Sequence, residues 1–189
     1  MRVTTRPAPG AIEHPVTPPP ALAAWALAAA LALPAIGLAL ALATGVLPPG
    51  DGSDGLPNGT WTIPLLLIVV AVLLAWAFRR RRVALDGEAL TVTAALFHRR
   101  VMREAIDLAR ARIVDLAEHT GLRPRWKAFG MGLPGYRAGW YFLAGRARGF
   151  CLLTDTRRVL WLPLHDGGAL LLSLERPQAL LDALRGPAR

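Results

Sequence analysis

Residues 61–82 read WTIPLLLIVVAVLLAWAFRRRR, and their interpretation decides the rest of the chain. Trp61 to Phe78 is an uncharged run of 18 residues rich in Leu, Val and Ile, just long enough for a helix to cross a bilayer. Arg79, Arg80, Arg81 and Arg82 follow it directly, and a basic cluster at a span end stays on the cytosolic side. The segment therefore predicts a second transmembrane helix over 61–78 with membrane-surface arginines at 79–82.

Upstream, Ala21 to Leu47 holds no charged residue in 27 positions and is dominated by Ala and Leu, which predicts a first transmembrane helix over 21–47. A cleaved leader is the competing reading, since Ala41-Leu42-Ala43 looks like a small-residue cleavage site, but a leader's apolar core runs only ~7–15 residues. Pro34 lies mid-span and predicts a kink. Gly37, Ala41 and Gly45 recur every four residues, a small-residue stripe that would let another helix approach, either residues 61–78 or a second copy of the chain. Residues 48–60, PPGDGSDGLPNGT, carry no Lys or Arg and read as an outer loop. Within it Asn58-Gly59-Thr60 matches a glycosylation sequon, although a plain turn is the simpler reading. Residues 1–20 contain the run Pro18-Pro19-Pro20 and few bulky apolar groups, so they read as a disordered cytosolic tail. The expected topology is two-pass, in an inner (plasma) membrane, with both termini cytosolic.

Charge is divided along the chain. The net charge of +9 arises after the spans: residues 1–78 carry 2 Arg against 3 acids, and residues 79–189 carry 20 basic residues against 10 acids. The single cysteine, Cys151, excludes an internal disulfide and a cysteine-ligated zinc. It lies in the apolar run Phe150-Cys151-Leu152-Leu153 and reads as a small hydrophobe rather than a reactive thiol.

From Val83 onward the chain is long enough for one small domain with its own core. Val83-Ala84-Leu85, Asp86-Gly87 and Leu90-Thr91-Val92-Thr93 predict a hairpin whose Gly takes positive φ. Residues 101–118 predict a short helical turn and then a strand. Residues 121–139, with glycines at 121, 130, 132, 135 and 139 and prolines at 124 and 134, predict a long ordered loop. Trp140–Leu143, Phe150–Leu153, Val159–Leu164 and Ala169–Leu174 then predict a meander of antiparallel strands. Pro177, Leu180, Leu181 and Leu184 predict a short closing helix over about Arg176–Arg185.

The segments Gly130-Met131-Gly132-Leu133-Pro134-Gly135-Tyr136-Arg137-Ala138-Gly139-Trp140, Leu152-Leu153-Thr154-Asp155 with Arg158-Val159, and Leu172-Ser173-Leu174-Glu175-Arg176-Pro177 together resemble the bacterial pleckstrin homology (PH) family. The resemblance covers residues 80–185. It implies a membrane helical hairpin followed by an all-β PH-like domain: two orthogonal antiparallel sheets of about seven strands, capped by a C-terminal α-helix. Eukaryotic relatives that grip phosphoinositides use basic residues in the first hairpin loop. Here that loop is Asp86-Gly87-Glu88, which argues against such a site.

Chemistry is sparse. Ser53 and Ser173 are the two serines, the histidines are scattered at 14, 98, 119 and 165, and no metal-ligand spacing, nucleophile elbow or phosphate loop occurs. Glu118-His119 could be drawn as a catalytic base pair on paper, a reading given little weight. No catalytic residue, cofactor or metal is expected, and an enzyme ranks behind two binding functions. The first is protein interaction at the cytosolic face of the membrane. The second is electrostatic binding of anionic lipid through Arg79, Arg80, Arg81 and Arg82. The candidate interaction loop comprises Arg123, Arg125, Trp126, Lys127, Phe129 and Tyr136, whose rings either form a binding surface or simply cover the end of the barrel. Alternating basic and aromatic residues also suit nucleic acid, but a domain tethered to the bilayer makes that partner unexpected.

Overall fold

A computed structural model describes residues 12–44 and 62–186. They form a helical unit, Ala21–Arg79, and a β unit built from the chain on either side of it, up to Pro20 and from Arg80 onward.

In the helical unit, α1 (Ala21–Ala43) has 23 residues with Pro34 inside it. At 1.5 Å per residue it measures ~34 Å, more than a hydrocarbon core. It is the one helix among the described residues long and apolar enough to cross a membrane. The second helix, α2 (Thr62–Arg79), has 18 residues, and its apolar part, Leu65–Arg79, is shorter than a full span. Leu22, Trp25, Leu33 and Leu40 of α1 and Leu65, Leu66 and Leu73 of α2 face outward. Nothing lies within 4 Å of a Cβ placed on Gly37, so the expected packing of 61–78 on the small-residue stripe does not occur there. The expected outer loop 48–60, Gly45 and Trp61 lie outside the described residues.

The β unit contains two mostly antiparallel sheets and a C-terminal helix. The smaller sheet has the order β1 (Ile12–His14), β2 (Arg81–Asp86), β3 (Ala89–Ala94), β4 (Phe97–Met102). The tail reading fails over residues 12–17. Ile12, Glu13 and His14 pair with Leu85, Ala84 and Val83, and Val16 bridges Leu174 of the other sheet. A tail with few apolar groups cannot form a core alone, but it can complete the open edge of β2, whose N–H and C=O groups need partners. The β2–β3 hairpin turns at Gly87-Glu88, and Gly87 is not among the positive-φ residues. The β3–β4 turn, Ala95-Leu96, instead holds Ala95 at φ 56°.

After a 3₁₀ turn at Arg103–Ala105, the larger sheet collects β5 (Arg112–Val114), β6 (Pro124–Leu133), β7 (Tyr136–Leu143), β8 (Arg148–Leu153), β9 (Val159–Pro163) and β10 (Ala169–Ser173) in the order β5-β9-β10-β8-β7-β6. The turn and strand expected over 101–118 are both present. The long loop expected over 121–139 is a correction: it is mostly the β6–β7 hairpin, closed at Pro134-Gly135 with Gly135 at φ 74°. The simple meander is a second correction. β10 inserts between β8 and β9, parallel to β8 and antiparallel to β9. Residues 154–158 span the extra strand width, and Ser173 Oγ donates to the Asp155 carbonyl at 2.9 Å to tie that link to β10. The driving force lies in composition. Strands with apolar side chains on both faces are most stable at the centre of a sheet covered on both sides, and every residue of β9 and β10 is buried.

Cys151, Leu153, Val159, Trp161, Ala169 and Leu171 share one face of this sheet, packed with Val114, Leu116, Tyr141 and Leu143. The alternate residues Phe150, Leu152, Leu160, Leu162, Leu170 and Leu172 are fully buried on the other. The closing helix α3 (Pro177–Arg185) buries Leu180, Leu181 and Leu184, as its spacing predicts. Its last turn is held by Arg103, which donates to the Gly186 carbonyl, and by Arg185, which donates to the Ala111 carbonyl at 3.1 Å.

Candidate interaction surface

β6 is an edge strand with β7 as its neighbour, and most of its ten residues are exposed. Its register against β7 shifts twice, leaving Arg125 and Ala128 as extra residues. A bulge of this kind changes which face the following side chain takes. Trp126 pairs with Phe142 and Phe129 with Trp140, and residues 140 and 142 of one strand share a face. Trp126 and Phe129, three apart in sequence, are therefore brought to the same side of the sheet. The row continues onto β8, where Arg148 pairs with Phe142 and Phe150 with Trp140.

Two glycines make the close approach possible. A Cβ on Gly130 would stand 2.4 Å from the Ala138 carbonyl oxygen, and one on Gly139 2.5 Å from that of Phe129. Gly139 also has φ 115°, a conformation that L side chains rarely adopt. Phe97 of β4 fits against this spot, edge-on to Phe129 with ring centroids 5.1 Å apart at 75°. Trp140 meets Phe150 in the same way at 5.3 Å and 78°. Arg99 lies 4.5 Å above the Trp140 ring, and Arg148 lies 5.7 Å from Phe142. Burial lowers the Arg99 pKa, Asp166 at 3.7 Å opposes that shift, and Arg148 adds to it. The outermost rings remain open: Trp126 is 71% exposed, Phe129 69% and Phe142 38%.

The expected loop residues thus separate. Arg125, Trp126, Lys127 and Phe129 are exposed on β6. Arg123 has a local structural role, its Nε donating to the Leu116 carbonyl at 2.5 Å. Tyr136 is fully buried, which corrects its placement on the surface, and burial pushes its hydroxyl up to about 12. Trp140, the end of the aromatic and glycine-rich stretch 126–140, joins the surface, and Phe97, Arg99, Phe142 and Arg148, which no sequence pattern marks, complete it. The bulges that align them have no signal in residue type.

The four arginines fall on two elements and the residue that joins them. Arg79 ends α2, and the Arg80 carbonyl accepts the Ala95 N–H at 2.9 Å. Arg81 and Arg82 open β2, where Arg81 is partly buried near Tyr136 and Arg82 pairs with Glu13 at 3.1 Å. An open cavity of about 410 Å³ lies nearby, lined by Pro20, Pro134, Tyr136, Arg137, Leu153 and Thr154 among others.

Cys151 and His119 have local structural surroundings. Cys151 is fully buried and burial pushes its thiol well above the ordinary range. His119 Nδ1 lies 3.1 Å from the Asp115 carbonyl oxygen. Among the described residues no group of three or more His, Cys, Asp or Glu could hold a metal. Compared with known proteins, the chain matches no family model, no curated protein and no solved structure.

Proposed function

We propose that the chain is a non-catalytic, membrane-anchored interaction module: a two-pass helical hairpin in a bacterial inner membrane carrying a PH-like β unit at the cytosolic face, where a protein partner adds to the β6 edge. The observation that carries this reading is the edge itself. The strand Pro124–Leu133 is paired with β7 on one side, apart from its two bulge residues, and has no strand on the other. An exposed strand edge offers a row of backbone donors and acceptors to an extended peptide. The double-pass topology is supported by chain order. β1 precedes α1 and β2 follows α2, yet they pair, so a chain that leaves the β unit through one crossing must return through a second, and α2 is the apolar helix available. The acidic β2–β3 turn, with Asp86 and Glu88, speaks against a phosphoinositide site in the first hairpin. Diffuse attraction of Arg79–Arg82 to anionic lipid is weakened as the main function, because Arg82 is paired and Arg81 partly buried.

The test is a photocrosslinking residue in place of Lys127 in the full chain in native membranes, with Gln178 on the exposed side of α3 as control. A discrete heterologous adduct from position 127 and none from 178 is expected. Adducts that do not differ between the positions would remove the edge as a binding element.

A further inference from the structure

We infer that the aromatic and arginine face made by Phe97, Trp126, Phe129 and Phe142 with Arg99 and Arg148 rests on the anionic headgroup layer of the bilayer that α1 crosses, fixing the orientation of the β unit on the membrane. This goes beyond the partner-binding edge and rests on the reading of α1 as a membrane anchor.

Three observations converge on this occupant. The first is chemistry: Trp126 and Phe129 are about 70% exposed on a face that also carries cationic side chains stacked on rings. An indole such as that of Trp126 prefers the headgroup level of a bilayer, Phe side chains dip to the headgroup and acyl boundary, and basic residues near an anionic leaflet are attracted to it. Lys127 pairs with Tyr141 and so belongs to the opposite face, which leaves Arg99 and Arg148 as the cations placed among these rings. Asp166, beside Arg99, is the carboxylate that the ion pairs place at this face.

The second observation is where the chain enters and leaves. The Arg80 carbonyl, immediately after α2, accepts the Ala95 N–H, and Ala95-Leu96 is the turn that leads into Phe97. Leu96 is 61% exposed. Pro20, immediately before α1, stands against Gly135 at the β6–β7 turn. Both attachment points of the helical unit are therefore on the end of the β unit where the aromatic row begins, and the row continues from them through Phe97 and Phe129 to Trp126.

The third is direction. Side chains stand perpendicular to a sheet, while its hydrogen-bonding groups point sideways within it. Lipid contact through the rings of β6 leaves the backbone edge of that strand free, so one element can serve both the bilayer and a partner strand lying parallel to it.

The full chain is reconstituted in nanodiscs of phosphatidylcholine, with or without phosphatidylglycerol, after single cysteines are introduced by Trp126→Cys, Phe129→Cys, Glu88→Cys or Leu33→Cys. Each carries an environment-sensitive fluorophore. Cys151 stays unlabelled because it is fully buried. Glu88 sits at the β2–β3 turn, the opposite end of the small sheet from Ala95, and Leu33 reports on α1. Headgroup spin-labelled lipid should quench the probes at 126 and 129 several-fold more than the probe at 88, and more strongly in the anionic discs. Chain-labelled lipid should quench the probe at 33 in both. If 33 is quenched but 126 and 129 behave like 88, the inference falls and the anchor reading stands. If 33 is not quenched, the anchor reading falls and takes the inference with it. Probes at 126 and 129 shielded from lipid and from aqueous acrylamide alike would assign the face to a protein or a second copy and overturn the lipid assignment. Quenching that is equal in neutral and anionic discs would overturn the role given to the arginines.

Discussion

β10 and β6 belong to one sheet and are built on opposite principles. β10, Ala-Leu-Leu-Leu-Ser, lies between two neighbours and is buried at every position. β6 lies at the edge, carries Arg125, Lys127, three glycine or alanine positions and two exposed rings, and is irregular in register. The first is held by apolar burial, each leucine contributing ~1.5–3 kcal/mol relative to exposure. The second is held by backbone pairing and by the close approach at Gly130 and Gly139. Stability is concentrated in the middle of the sheet, and the surface available for recognition is concentrated at its rim.

The largest break in that comparison should come from a charge placed at each strand. Leu171→Asp buries an unpaired carboxylate in the core cluster and should cost about 4 kcal/mol or more, abolishing a cooperative melt of the full chain in detergent. Phe129→Asp should shift the melt by about 0.5 kcal/mol or less. Similar melts for the two variants would erase the distinction between centre and rim.

A smaller loss should follow Gly139→Ala, which meets both a positive φ and backbone 2.5 Å away. About 2–3 kcal/mol is expected, against almost none for Gly37→Ala, where space is open. A wild-type melt for the first variant would show that the β6–β7 approach is not held by this glycine.

Acid should act on the small sheet and spare the centre of the large one. His14 is buried in β1, and burial lowers its pKa from the ordinary 6.5. The unfolded state therefore binds the proton more readily, so this contribution to stability is complete above pH 6.5 and is lost as pH falls through the lower folded value. The neighbouring Arg82–Glu13 pair, half exposed on both sides, adds little. Hydrogen exchange at Val83–Leu85, corrected for intrinsic rates, should accelerate below that pH while Leu170–Leu172 stay protected. His14→Leu should remove the dependence. Uniform acceleration across both sheets would locate the acid sensitivity elsewhere.

The smallest signal is expected at Cys151, which should not react with a thiol reagent in the folded chain and should react fully after denaturation. Labelling of the folded chain would mean that the centre of the sheet opens as readily as its rim.

The same contrast governs what could be read from residue types. Leu180, Leu181 and Leu184 announce α3 because helical spacing is local, and the apolar strands 150–174 announce themselves by composition. Their order does not. Whether β10 stands beside β9 alone or also slips in next to β8 depends on a five-residue link and on which strand gains most from two covered faces. β1 was illegible because Ile12-Glu13-His14 has no pattern of its own; its pairing is dictated by an edge 70 residues away. At the candidate surface, Trp126 and Phe129 stood out by type, but Phe97, Trp140 and Phe142 join them only through two bulges and a glycine pair.

The pairing of Glu13 with Ala84 has a consequence for biogenesis. The N-terminal strand leaves the ribosome before α1, but its partner does not exist until both helices have been made. At ~5–20 residues per second, some seventy further residues represent a wait of several seconds during which Ile12–His14 is unpaired. The strand must remain available for pairing throughout that interval. Closure of β1 on β2 then acts as a latch that can shut only after the whole helical segment between them has been made.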